Sequence, residues 1–97
     1  MATESETATQ VRITEPPLFK ILFLNDEVTT MEFVIETLLL LFEYDRERAV
    51  DKTKEIHEKG AALITVLPYE IAEQKALEVT GMARESGFPL QPKIERE

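Results

Sequence analysis

Hydrophobic and polar positions along this chain follow two periods, and the switches between them mark its elements. Residues 18–24, Leu-Phe-Lys-Ile-Leu-Phe-Leu, form an apolar run of strand length broken only by Lys20. That lysine marks a solvated face, as in a sheet covered by helices on one side only. From Thr30 onward, Met31, Val34, Ile35, Leu38, Leu39, Leu41 and Phe42 recur at helical intervals and predict a central helix with a wide apolar stripe. Asp45 is suited to cap a second helix running to Lys59, with Gly60 as its left-handed stop; its thin apolar set places it on the rim. Ala61 to Leu67 reads as a second strand, rich in β-branched residues. Pro68 opens the longest helix, because its fixed φ and missing amide suit a first turn, and Gly87 ends it. A short third strand over Leu90 to Ile94 completes an α+β order of β-α-α-β-α-β.

The most informative switch is the first. After Leu24 come Asn25, Asp26 and Glu27, and Thr29 followed three residues later by Glu32 has the form of a capping box. A rigid turn bearing one amide and two carboxylates beside Phe23 and Met31 is suited to receive a cation attached to a hydrophobic body. The alternative is an Asx-type turn whose polar side chains bond their own backbone. The single histidine, His57, falls on the last turn of the second predicted helix, where a solvated helix-end role competes with a role beside that turn.

Composition narrows the choice. The net charge of −8 repels phosphate backbones and anionic membrane surfaces and favours a basic partner or a cationic ligand group, so no nucleic acid is expected. No cysteine is present, which excludes a disulfide framework and a thiolate metal site; one histidine excludes a histidine cluster. The longest uninterrupted apolar run, Leu38 to Phe42, is far short of the ~20 residues needed to span a bilayer, and the first residues lack a secretory pattern. The expectation is a soluble cytoplasmic protein with no membrane association. Serines occur only at Ser5 and Ser86 and the three glycines are scattered, so neither a nucleophilic triad nor a phosphate-cradling loop is visible. An enzyme, a metal or a cofactor is therefore not expected. Residues 1–16, rich in Thr, Ser, Glu and Ala, read as a disordered N-terminal arm ahead of a core domain over 17–97, a length that allows one small core.

Several separated motifs agree in order and spacing with one family. Pro16-Pro17-Leu18-Phe19-Lys20-Ile21-Leu22-Phe23-Leu24-Asn25-Asp26-Glu27, then Thr29 and Met31-Glu32-Phe33-Val34-Ile35, then His57-Glu58-Lys59-Gly60 resemble the ClpS family of adaptors of the ATP-dependent Clp protease. Glu70-Ile71-Ala72-Glu73-Gln74-Lys75 and Ala83-Arg84-Glu85-Ser86-Gly87-Phe88-Pro89-Leu90 extend the resemblance to about Ile94.

This resemblance implies a three-stranded antiparallel sheet packed against three helices, similar to the C-terminal domain of the ribosomal stalk protein. It implies an adaptor, a monomer when free, that binds N-degron peptides and proteins beginning with Leu, Phe, Tyr or Trp and delivers them to a ClpA-type AAA+ unfoldase. By the same resemblance the substrate's α-amino group is held by Asn25, Glu27 and His57, with Asp26 and Thr29 at the pocket mouth. The side-chain pocket maps to Phe23, Met31, Val34, Thr53, Ile56 and Leu90, and the unfoldase-facing surface to Glu70 and Lys75. The family usually has Asp at Glu27, Tyr at Val28, Pro at Thr30 and often a large apolar residue at Thr53, so the ligand range here follows this chain's own residues. A second reading from a different class is a ribosomal-stalk-like domain that recruits a protein factor through the long Pro68 helix and has no peptide pocket.

Overall fold

The computed structural model describes residues 16–97; the arm predicted over residues 1–16 lies, apart from Pro16, outside the described residues. Among the described residues the order is β1 (Leu18–Leu24), α1 (Met31–Leu41), α2 (Arg46–Lys59), β2 (Ala61–Pro68), α3 (Tyr69–Glu85) and β3 (Pro92–Arg96). The three strands form one antiparallel sheet with β1 in the centre, in the order β2-β1-β3. Ile21 and Phe23 point from β1 into the helices and are fully buried, whereas Lys20 and Leu22 are only half-buried. The single-sided burial anticipated from Lys20 is thus the pattern observed.

The core forms where these two β1 residues meet Val34, Ile35 and Leu38 of α1, Ala49 and Ile56 of α2, and Ala72, Val79 and Ala83 of α3. The ring of Phe23 stands edge-on to Phe42, with centroids 5.7 Å apart, and Phe33 meets Phe88 in the same manner at 5.1 Å. Small residues on α2 and α3 let those helices lie close to the sheet. On α2 the apolar set is narrow, as expected: only Ala49, Thr53 and Ile56 are buried.

Helix boundaries follow local chemistry. Asp45 caps α2 by accepting the Arg48 amide at 2.8 Å, and Gly60, with φ of 87°, closes it in the left-handed region that costs glycine nothing. Pro68 is the cap of α3 rather than its first residue: at φ −58° and ψ 153° it is still extended and ends β2, and Tyr69 begins the helix. The third strand is Pro92–Arg96, two residues later than the pattern predicts. Leu90 is instead turned into the core, and pairing starts where Pro92 lies opposite Phe23.

The β1–β2 ladder contains one irregularity. Ile21 pairs with Thr65 and Leu22 with Leu63, so Ile64 is skipped, and its carbonyl accepts the buried Tyr44 hydroxyl at 2.7 Å. No helix among the described residues is long and apolar enough to cross a membrane, and none of them form a group of three or more His, Asp or Glu that could hold a metal ion.

Candidate functional site

At the end of β1 the chain is tied down on both sides. The Leu24 amide donates to the Gln91 carbonyl at 3.3 Å, and the Asn25 amide to the Gly60 carbonyl at 2.9 Å. The second bond brings the start of the bend against the end of α2, the turn that carries His57. Side chains separated by thirty residues thereby share one surface.

Asp26 organises the bend. One carboxylate oxygen accepts the Val28 amide at 2.8 Å and the Thr29 amide at 2.6 Å, and the other accepts the Thr29 hydroxyl at 2.8 Å. Burial pushes the Asp26 carboxyl up, but the bonds from Thr29 and Val28 outweigh it and hold its pKa below the ordinary aspartate value. The Asx-type turn is therefore present, built on one residue. Thr29 is engaged by it, and the cap of α1 passes to Thr30, whose hydroxyl oxygen accepts the Phe33 amide at 3.1 Å. The capping box predicted from Thr29 and Glu32 does not form: the Glu32 carboxylate lies 3.6 Å from Arg46 across the α1–α2 gap, an exposed pair of small energetic weight.

With Asp26 turned inward, its neighbours remain available. The side chains of Asn25, Glu27 and His57 have no hydrogen-bond or ion-pair partner among the described residues. All three line a hollow of about 420 Å³ between the bend and α2. Its apolar wall comes from Met31 and Val34 of α1 and Ile56 of α2. Thr53 lies in the floor, and its hydroxyl donates to the Ala49 carbonyl at 2.7 Å, so its polar end is satisfied inside the helix. The shorter residue thus widens the floor without making it an unsatisfied polar surface. Asp26, Val28, Thr29 and Thr30 complete the rim.

Two residues mapped to the side-chain pocket are elsewhere. Phe23 is fully buried in the core against Phe42 and does not line this hollow. Leu90 lines a different hollow at the end of α3. Val28 is a rim residue that no sequence pattern assigned to the site; it is 59% exposed, and its only signal is its place in the bend. The two residues mapped to the unfoldase-facing surface are both on α3. Glu70 is exposed in the first turn beside Tyr69 and Ile71, and Lys75, half-buried, is 3.8 Å from Glu78. They line separate hollows, Lys75 facing Leu41, Phe42 and Leu67.

The arrangement offers acceptors and neither lysine nor arginine. An amide oxygen, a carboxylate and one imidazole nitrogen stand over an apolar recess, which suits a cationic amine joined to a hydrophobic group.

The family model described as "ATP-dependent Clp protease adaptor protein ClpS" matches residues 14–93. The ClpS adapter protein of Campylobacter jejuni is 39% identical over 94 residues, covering 97% of this chain and 98% of its own. That of Wolinella succinogenes is 36% identical over 92 residues, covering 95% and 90%. Among solved structures, Agrobacterium tumefaciens ClpS2 bound to L-phenylalaninamide superposes with a TM-score of 0.83 at 36% identity, covering 86% of this chain and all of that one.

Proposed function

Because this chain belongs to the ClpS family of ATP-dependent Clp protease adaptors, we propose that it captures proteins by a hydrophobic first residue, Leu, Phe, Tyr or Trp, and passes them to a ClpA-type unfoldase. The reading rests on one observation above the others: the three unengaged acceptors of Asn25, Glu27 and His57 share a hollow with Met31, Val34 and Ile56. The ligand of the Agrobacterium protein is chemically a phenylalanine with a free amine and an amide where a next peptide bond would begin. It is therefore a small mimic of a protein N-terminus, which supports the same ligand class here.

In this mechanism the substrate's ammonium group donates to the Asn25 amide oxygen, the Glu27 carboxylate and the unprotonated nitrogen of His57. Its first side chain enters the recess lined by Met31, Val34, Thr53 and Ile56. Asp26 and Thr29 hold the mouth in shape. A peptide α-amino group has a pKa near 8 and is mostly cationic at neutral pH, so three acceptors match it. Burying an aromatic or leucine side chain contributes roughly 4 kcal/mol at ~25 cal/mol per Å² over about 150 Å², and association costs about that much. Side-chain burial alone therefore gives little net affinity. An internal phenylalanine, which has no free amine, leaves the acceptors unpaired at roughly 1–3 kcal/mol each, so the N-terminus is selected by charge and side chain together.

Delivery requires a second surface. Glu70 and Lys75 on α3 face the unfoldase in this reading, residues 17–97 make up the adaptor core, and the N-terminal arm engages the unfoldase during transfer. The chain acts by binding and catalyses nothing itself. Titrating a Phe-initiated peptide against its N-acetylated twin tests the proposal. The free amine is expected to bind at least tenfold tighter, and equal affinities would refute amine recognition.

A further inference from the structure

A larger hollow than the amine site, about 750 Å³, lies on the other side of Leu24 from it. Leu24 lines the first hollow and Asn25 the second, so the two begin within one Cα–Cα step of about 3.8 Å. The chain's own hydrogen bonds make the same division, with Leu24 bonded towards Gln91 and Asn25 towards Gly60.

The two hollows differ in the ionisable residues that line them. The ionisable residues lining the amine site are Asp26, Glu27 and His57, whereas those lining the larger hollow are Arg84 and Lys93 alone. Leu24 and Phe88 supply apolar lining to the same hollow. In a chain with 19 acidic and 11 basic residues, a hollow lined by cations and no carboxylate runs against the overall composition. Arg84 is exposed and has no ion pair among the described residues; Lys93 meets Glu95 at 3.0 Å on the open surface. The position of Arg84 in the last turn of α3 suits the helix dipole, but Lys93 lies on a strand and has no such reason to join it.

We propose that the larger hollow, lined by Arg84 and Lys93, is a subsite for the captured substrate downstream of its first residue, and that it selects a carboxylate at about the third to fifth position. The inference rests on the reading of the amine site given above. A peptide anchored by its amine at Asn25 and extended at about 3.3 Å per residue crosses the end of β1 and reaches the far side of Leu24 within a few residues. An acidic side chain there meets Arg84 and Lys93, with its apolar neighbours on Phe88 and Leu24. An acidic second residue, by contrast, remains beside Asp26 and Glu27 and is repelled. Position of the charge along the substrate, rather than its sign alone, then decides affinity.

The test uses peptides of equal composition and net charge, so that the field of the acidic protein as a whole cancels. With the full chain, a Phe-initiated peptide carrying Glu at position four is expected to bind about fivefold tighter than its isomer carrying Glu at position two. The difference should shrink as salt is raised from 50 mM to 500 mM. In the R84E/K93E variant the distal-Glu peptide should lose about fivefold in affinity, while an uncharged Phe-initiated peptide stays within twofold of the unaltered protein, which reports an intact amine site. The proposal is overturned if the two isomers bind alike, or if charge reversal weakens the uncharged peptide as much as the distal-Glu one. Failure of the underlying site would show separately, as equal binding of the uncharged peptide and its acetylated twin, and would overturn this inference with it.

Discussion

The two ends of α1 carry connections of similar length in opposite chemical states. At the leading end, residues 25–30, the Asp26 carboxylate makes three side-chain bonds that shape the bend and Thr30 caps α1, while Asn25 and Glu27 on either side of Asp26 face the hollow unengaged. At the trailing end, residues 42–45, the polar groups are drawn into the fold. The Tyr44 hydroxyl goes to Ile64, the Phe42 and Tyr44 amides share the Leu38 carbonyl, and Asp45 caps α2. The leading bend is rigid and still has acceptors to offer; the trailing one is rigid and has few. Binding capacity at this scale depends on concentrating the structural load on one residue, so that its neighbours carry none.

The sharpest way to break that comparison is to remove an available acceptor. Asn25→Ala should weaken an N-terminal Phe peptide by about ten- to a hundredfold, the scale of a hydrogen bond to a charged group, with the thermal midpoint almost unmoved. Calorimetric titration and a melting curve on the same sample check both halves. A large fall in stability with modest loss of binding would mean that Asn25 belongs to the structural group instead.

At the trailing end the signature reverses. Tyr44 is 7% exposed, and its hydroxyl satisfies the carbonyl of Ile64, the residue skipped at the β1–β2 irregularity. Tyr44→Phe leaves that carbonyl without its partner and should cost roughly 1–3 kcal/mol in denaturant unfolding, while peptide affinity remains within about twofold. A buried phenol also resists ionisation. Burial raises the Tyr44 pKa above 10.0; Arg48 opposes this and Glu55 adds to it. The unfolded chain therefore loses this proton first as pH rises through about 10, and the tyrosine's contribution to stability fades above that value.

Asp26 lies between these extremes, because it serves the fold in order to free its neighbours. Asp26→Asn keeps an acceptor for the two amides but loses the charge and an acceptor for the Thr29 hydroxyl. A destabilisation of about 1 kcal/mol and a several-fold loss of peptide affinity are expected together. The pH dependence identifies the cause. Because the folded pKa of Asp26 lies below its ordinary value of 3.8, the unfolded chain takes up the proton first on acidification. The contribution is complete above about pH 4–5 and lost as pH falls through the folded pKa, so stability of the Asn variant should fall less steeply in that window.

How far these features were legible in the sequence depended on whether their causes were local. β1 was readable to the residue, since an apolar run broken only by Lys20 ends at Asn25, and α2 equally so, since Asp45 and Gly60 act within one turn. The cap of α1 was not, because Thr29 and Thr30 are equally good candidates until Asp26 takes the first. The start of β3 depended on Leu90 finding room in the core, and the skipped Ile64 on a tyrosine twenty residues away; neither leaves a trace in the local pattern. In the candidate site, the bend and His57 come together through one long-range bond, Asn25 to Gly60. Family resemblance supplied that pairing before geometry did, and it also assigned to the pocket Phe23, which the packing of this chain has taken into the core.

Glu43 provides the smallest test and one confined to the trailing end. Its φ of 59° places a side-chain-bearing residue in the left-handed region immediately after α1, where glycine is favoured. Its carboxylate also faces the negative end of the helix dipole. Glu43→Gly relieves both, at the expense of a more flexible unfolded chain, for a net gain of about 0.5 kcal/mol. Glu43→Gln relieves only the charge and Glu43→Ala keeps the backbone penalty, so comparing the three denaturation midpoints separates conformation from electrostatics. Peptide affinity should be the same in all of them, because no group in this connection faces the amine site. If Gly proves no more stable than Ala, the left-handed residue carries no strain, and the trailing connection is as relaxed as the leading one.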